Sequence, residues 1–238
     1  MKIAASKPLI EDLVAASRIL AEHEVLDAYG HVSARSDKRP EHFIMSRSRA
    51  PALVTAADLI EWGADSEPAR RDKRKGFIER YIHGEIYRAR PEVMAVVHSH
   101  SPSVIPFGVT RTKLRPVYHM GSFLWSGAPV WDIRKAREEN DLLVRDRPLG
   151  EALAGALGKC NCVLMRGHGM TVVGESIPEA VYRAIYTEMN ARLQLQATQL
   201  EGPIEFLSDE EGRRSTAANR GTLERPWELW KSVALRRR

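Results

Sequence analysis

Apolar residues at Leu9, Ile10, Leu13, Val14, Ile19 and Leu20 recur with a helical period and predict a helix from Pro8 to about Leu26. A turn at Asp27-Ala28-Tyr29-Gly30 leads into a short strand, His31-Val32-Ser33-Ala34, and a second strand follows at His42-Phe43-Ile44-Met45. Thr55-Ala56-Ala57-Asp58 has the form of a capped helix start. The segment from Gly76 to Ala89 reads as a helix that stops before Pro91, with Glu79 and His83 one turn apart on a shared face. An apolar strand then ends in Val96-Val97-His98-Ser99-His100, and Ser101-Pro102 reads as the N-cap and first residue of the next helix. Lys113 to Asp146 carries no clear period and is expected to be loop. Leu149 to Leu157 predicts a helix closed by Gly158, Cys162–Met165 and Met170–Val173 predict strands, and Pro178 to Leu200 predicts a long helix. Strands and helices interleave, but links as short as Gly167-His168-Gly169 suit antiparallel turns. The expected class is α/β, with a mixed or antiparallel sheet covered by helices on its faces.

At 238 residues the chain suits one α/β domain, read here as residues 1–238 with a C-terminal tail from about 203. Apolar residues make up 43% and charged residues 28%, the balance of a soluble globular protein. No apolar run approaches the roughly 18 residues of a membrane span, and Met1–Ser6 lacks the apolar core of a secretory leader. The only cysteines, Cys160 and Cys162, give no disulfide framework, so a cytoplasmic protein without a membrane partner is expected. Much of the +5 net charge lies in Arg70–Lys75 and Arg236–Arg238. Neither cluster is interleaved with aromatic residues, which argues against nucleic acid and leaves a small anionic substrate as the expected partner.

His98 and His100 sit two residues apart on a strand, so both rings face one side and can reach one ion. His168, flanked by Gly167 and Gly169, follows another apolar strand. Three imidazoles with an open coordination position describe a catalytic rather than a structural metal site.

In order along the chain, Gly30-His31-Val32-Ser33-Ala34-Arg35, Glu79 with His83, Arg90–His100 and Arg166-Gly167-His168-Gly169 resemble the motifs of the class II aldolase/adducin family. The resemblance runs from about residue 7 to residue 200. It implies a three-layer α/β/α fold around a mixed, largely antiparallel sheet, in a homotetramer with active sites near subunit interfaces. It also implies that His98, His100 and His168 bind one divalent metal per subunit, manganese or zinc foremost, with cobalt or iron as alternatives. Glu79 matches the family's acid/base residue, which can also ligate the metal. Tyr118 stands where the family places a proton-donating tyrosine borrowed from a neighbouring subunit, with His119 as a competing candidate.

The departures from the family's sugar-phosphate aldolases bear on substrate. Those enzymes cradle a phosphate with a Gly-Asn-x-Ser element, a Thr-Pro-x-Gly turn and a Ser-Ser pair before the glutamate. Here His31 takes the Asn position beside Ser33, the turn becomes Met45-Ser46-Arg47-Ser48-Arg49, and Phe77-Ile78 precede Glu79. An apolar pair suits phosphate poorly, whereas Arg47 and Arg49 can fork onto carboxylates, unless they simply face solvent. Phe77 and Phe123-Leu124-Trp125 are candidate walls for a flat ring. The pattern resembles the decarboxylase branch, which acts on hydroxylated aromatic or pyridine ortho-dicarboxylates. His31, Ser33, Ser46, Arg47 and Arg49 are the expected substrate contacts. An aldolase or epimerase of unphosphorylated hydroxy acids, ketones or sugar derivatives is the alternative, and a non-catalytic adducin-like module a remote third. The apolar Arg225–Trp230 tail is suited to packing on a neighbour or on its own core.

Overall fold

A computed structural model of the chain describes residues 3–236. One sheet of seven strands forms its centre: β1 (His31–Arg35), β2 (Phe43–Ser46), β3 (Leu59–Trp62), β4 (Ala95–Ser99), β5 (Val130–Trp131), β6 (Cys162–Met165) and β7 (Gly169–Gly174). They lie in the order β3-β2-β1-β4-β7-β6-β5, and every neighbouring pair is antiparallel except β5 with β6. The helices are α1 (Lys7–Glu22), α2 (Arg80–Ala89), α3 (Ile105–Val109), α4 (Arg147–Leu157), α5 (Ile177–Ala197), α6 (Asp209–Arg220) and α7 (Glu224–Arg236).

Alternation along the strands sorts side chains into two cores. Val32 and Ala34 of β1, Ala95 and Val97 of β4, and Met170 and Val172 of β7 pack with α1, α5 and α7. Val96, Val163, Met165 and Val173 point the other way, into a second core under α2 and α4. The result is the expected three-layer arrangement around a mixed, largely antiparallel sheet. The same parity carries His31, Ser33 and His98 to the α2–α4 side.

Local chemistry sets several helix ends. The Ser6 hydroxyl accepts from Leu9 N at 3.3 Å to start α1, and Asp146 accepts from Leu149 N at 3.1 Å to start α4. The Thr55–Asp58 capping box also forms, around a single 3-10 turn at Ala56–Asp58.

Other boundaries differ from the sequence expectation. α1 stops at Glu22 because Glu24 takes φ 56° and turns the chain, while Val25 and Leu26 stay buried and so kept up the apolar signal. α2 begins at Arg80 rather than Gly76. Ser101-Pro102 does not start a helix: α3 opens at Ile105 after a turn, and the Ser101 hydroxyl pairs with Ser99 Oγ at 2.9 Å. The stretch expected as loop contains a 3-10 helix at His119–Ser126, the short β5, and a 3-10 turn at Ile133–Lys135. Beyond residue 203 the tail forms α6 and α7, and α7 packs on its own chain. Trp227 and Ala234 join the first core, and Lys231 Nζ lies 2.7 Å from Asp12 Oδ1 of α1. Arg237 and Arg238 of the terminal basic cluster lie outside the described residues. Among those described, no helix is long and apolar enough to cross a membrane.

Candidate metal centre

Three elements bring four ligand-bearing residues to the α2–α4 side of the sheet. The end of β4 delivers His98 and, just beyond it, His100. The β6–β7 hairpin delivers His168, and the turn before α2 delivers Glu79. The hairpin approaches β4 closely enough that a Cβ on Gly169 would lie 2.0 Å from the Ser99 carbonyl oxygen. Only glycine fits there. Gly30, with φ 79°, gives the matching turn into β1, and a Cβ on it would lie 2.9 Å from the His98 carbonyl oxygen.

One ligand atom from each of Glu79, His98, His100 and His168 falls within 4.8 Å of every other. Glu79 Oε2 stands 3.5 Å from both His98 Nε2 and His168 Nε2, and His168 Nε2 stands 3.1 Å from His100 Nε2. The far nitrogens are tied to carbonyls. His98 Nδ1 donates to Met170 O at 3.1 Å and His168 Nδ1 to Leu142 O at 2.8 Å. A carbonyl only accepts, so both neutral rings carry their proton on Nδ1 and turn the Nε2 lone pair to the centre. His98 Nε2 is buried and has no hydrogen-bond partner among the described residues. Lone pairs converging beside a carboxylate, one of them orphaned, are what a divalent cation satisfies, and these residues fit one.

Burial pushes the Glu79 carboxyl up, but with no cation bound, imidazolium charge and Nε2–H bonds from His98 and His168 outweigh it and hold the group well below its ordinary value. Its other oxygen, Oε1, accepts from Val144 N at 3.0 Å. Burial, with His98 and His168 nearby, pushes His100 down to about 4. For His168 burial acts downward, and the hydrogen bond and charge of Glu79 reverse it to leave the ring raised.

A cavity of about 370 Å³ opens beside the cluster, lined by Tyr29, His31, Arg49, Lys75, Phe77 and Glu79 among others. His31 is almost wholly buried, with its ring centroid 4.5 Å from that of Phe77. Its Nδ1 lies 2.7 Å from His83 Nε2, and Ser33 Oγ lies 2.6 Å from His83 Nδ1 and 2.8 Å from the Tyr87 hydroxyl. Ser33 thus stands behind His31, away from the cavity. Arg49 lines the cavity, with its Nε 2.7 Å from Leu53 O and 3.3 Å from Asp58 Oδ2. Arg47 pairs with Asp58 Oδ1 at 2.7 Å, and neither it nor the buried Ser46 lines the cavity.

Tyr118 and His119 are not brought to this cluster within the chain. Tyr118 packs its ring near Tyr186, with its hydroxyl buried and without a partner among the described residues, and burial pushes that hydroxyl up. His119 is exposed, and its carbonyl accepts from Ser215 and Asn219. Phe123 and Leu124 belong to the first core, so of the expected aromatic walls only Phe77 borders the cavity. A larger cavity of about 570 Å³, bordered by Arg115, Trp125 and Cys160, holds none of the imidazoles.

Tyr29, Lys75 and Tyr87 are absent from the residues singled out by sequence. Tyr87 carried a usable signal, since it follows His83 by four residues on α2 and shares its face. Tyr29 and Lys75 lie in irregular segments where no period points inward.

Known proteins place this arrangement. Decarboxylase tropJ of Talaromyces stipitatus is 41% identical across 97% of this chain and 95% of its own length. A 3,4-dihydroxyphthalate decarboxylase of Terrabacter is 36% identical across 81% of each. The L-fuculose 1-phosphate aldolase structure from Glaciozyma antarctica superposes with a TM-score of 0.77 over 95% of this chain and 88% of that one, at 23% identity, which shows the shared fold. Enzymes so named are lyases. The class II aldolase and adducin N-terminal domain family matches residues 11–195, a span that includes every imidazole and carboxylate of the cluster, and the chain belongs to that family.

Proposed function

We propose that this protein is a metal-dependent carbon–carbon lyase that decarboxylates a hydroxylated aromatic or pyridine ortho-dicarboxylate. The observation that carries the reading is the cavity wall beside the imidazoles. Arg49 and Lys75 supply cationic groups, and Phe77 and the His31 ring supply flat apolar surface. Planar anions suit such a lining, and the decarboxylase names of similar proteins add support.

His98, His100 and His168 would hold one divalent cation, manganese or zinc, with Glu79 as a fourth ligand before substrate arrives. When bound, such a cation would supply positive charge where electron density collects as carbon dioxide leaves. Arg49 anchors the carboxylate that is retained, and Phe77 lies against the ring. Glu79 Oε2 takes the proton of the ring hydroxyl. The bond from ring to carboxylate breaks, its electron pair stays on the ring, and the vacated carbon takes up a proton from Glu79. His119 of a neighbouring subunit in a homotetramer is a second candidate donor because it is exposed, whereas Tyr118, the other candidate, would first have to free its hydroxyl from burial in its own chain.

The test is carbon dioxide release by manganese- or zinc-loaded protein across ortho-hydroxylated phthalates and pyridine dicarboxylates. Release that requires both the metal and the neighbouring hydroxyl is the expected result. Silence from metal-replete protein across the panel overturns it in favour of aldol cleavage of an unphosphorylated hydroxy acid or ketone.

A further inference from the structure

Four side chains from β1 and α2 form one buried hydrogen-bonded row. The Tyr87 hydroxyl meets Ser33 Oγ, Ser33 Oγ meets His83 Nδ1, and His83 Nε2 meets His31 Nδ1, at 2.8, 2.6 and 2.7 Å. Ser33 and His83 are fully buried, and Tyr87 is 5% exposed. Each contact needs one donor and one acceptor, and each hydroxyl or neutral imidazole has a single proton to give.

Counting those protons fixes the direction of the row. Suppose His83 carries its proton on Nδ1 and gives it to Ser33. Ser33 then either donates to Tyr87, which leaves the Tyr87 proton without an acceptor, or accepts from Tyr87 as well, which leaves its own proton without one. No other acceptor for either hydroxyl exists among the described residues, and a buried unpaired O–H is costly. The remaining arrangement satisfies every group: Tyr87 donates to Ser33, Ser33 to His83 Nδ1, and His83 Nε2–H to His31 Nδ1. A doubly protonated His83 fails the same count, because its Nδ1–H would again be given to Ser33.

We infer that Tyr87, Ser33 and His83 are positioning residues that hold the proton of His31 on Nε2. His31 thereby presents an N–H donor to an anionic oxygen of the substrate and is barred from acting as its proton acceptor. Nδ1 of His31 is consumed by His83, so Nε2 is the nitrogen left for the cavity that the ring lines. This assignment rests on the reading of that cavity as the substrate site. It is specific to the histidine, since an imidazole in the opposite tautomer would repel a carboxylate or phenolate oxygen at the same place.

Neutron diffraction from perdeuterated, zinc-loaded wild-type protein tests the row directly and needs no variant. Deuterium is expected on His83 Nε2 and His31 Nε2, with His31 Nδ1 bare. Deuterium on His31 Nδ1 overturns the inference. Binding of phthalate, the simplest ortho-dicarboxylate, to zinc-loaded protein tests the consequence. His31→Gln keeps a donor and should bind nearly as well as wild type, whereas folded His31→Leu should bind about 10- to 100-fold more weakly. Equal phthalate affinity in wild type and His31→Leu also overturns it. The tautomers read out whether or not any compound is decarboxylated, so failure of the lyase reading is told apart from failure of this one.

Discussion

His31 and His98 are register partners in the β1–β4 ladder, with ring centroids 5.1 Å apart, and their rings serve different ends because their Nδ1 atoms have different partners. His98 Nδ1 donates to a backbone carbonyl and leaves Nε2 free, whereas His31 Nδ1 faces another imidazole, from which, by the proton count above, it accepts a hydrogen bond. Under the proposed assignments, two identical side chains on one face of one sheet would serve as a metal ligand and as a hydrogen-bond donor. The distinction comes from what lies behind each ring.

Glu79→Gln keeps an oxygen for Val144 N–H and removes the charge beside His98 and His168. Turnover should fall about 100-fold or more while metal content, measured by elemental analysis, is unchanged. Wild-type turnover in this variant would make the carboxylate structural.

His98→Ala and His168→Ala each take one of three imidazoles from the cluster. Metal affinity by calorimetric titration should drop by more than about 100-fold, with activity lost alongside, since even outer partners of such ligands are worth 10- to 100-fold. Circular dichroism should still report a folded chain. Retention of full activity without metal would remove the basis for the centre.

Gly169→Ala forces a methyl group against the Ser99 carbonyl. The hairpin must move away from β4 and carry His168 with it. A loss of about 1–3 kcal/mol in urea denaturation is expected, together with weaker metal binding. A variant that binds metal as wild type does would show the hairpin to be free to shift without moving the ligand.

Asp58 links the Arg47 and Arg49 side chains. Burial raises its carboxyl, but hydrogen bonds from Thr55 and Arg47, with Arg49 nearby, leave it below its ordinary 3.8. A depressed carboxyl stabilises the fold above that ordinary value and loses the contribution as pH falls through the depressed one. Asp58→Asn should therefore be less stable than wild type at neutral pH, and the gap in urea midpoints should narrow as pH falls below 3.8. A gap that stays constant over this range would show that the charge of Asp58 contributes nothing.

Much of the cluster was legible because its residues obey short-range geometry. Strand period points His98 and His100 the same way, although β4 ends at Ser99 and His100 lies just beyond it, and the glycines around His168 announce a tight hairpin. The register of the sheet was not legible in that way, yet interleaved strands with short links sufficed for a mixed, layered fold. The His119–Ser126 helix was missed since its order comes from distant partners, including Ser215, Thr216 and Asn219 of α6. Ser101 was misread because its hydroxyl goes to Ser99 and not to a helix N-terminus. The buried row behind His31 joins residues about 50 positions apart, beyond the reach of any local pattern.

His100 and His168 are 68 residues apart along the chain, one at the end of a central strand and the other in the tip of a hairpin. An ion held between them, as proposed, would act as a removable clasp that closes a long loop only in the folded chain. Metal supply would then bear on how long the protein lasts as well as on how fast it works.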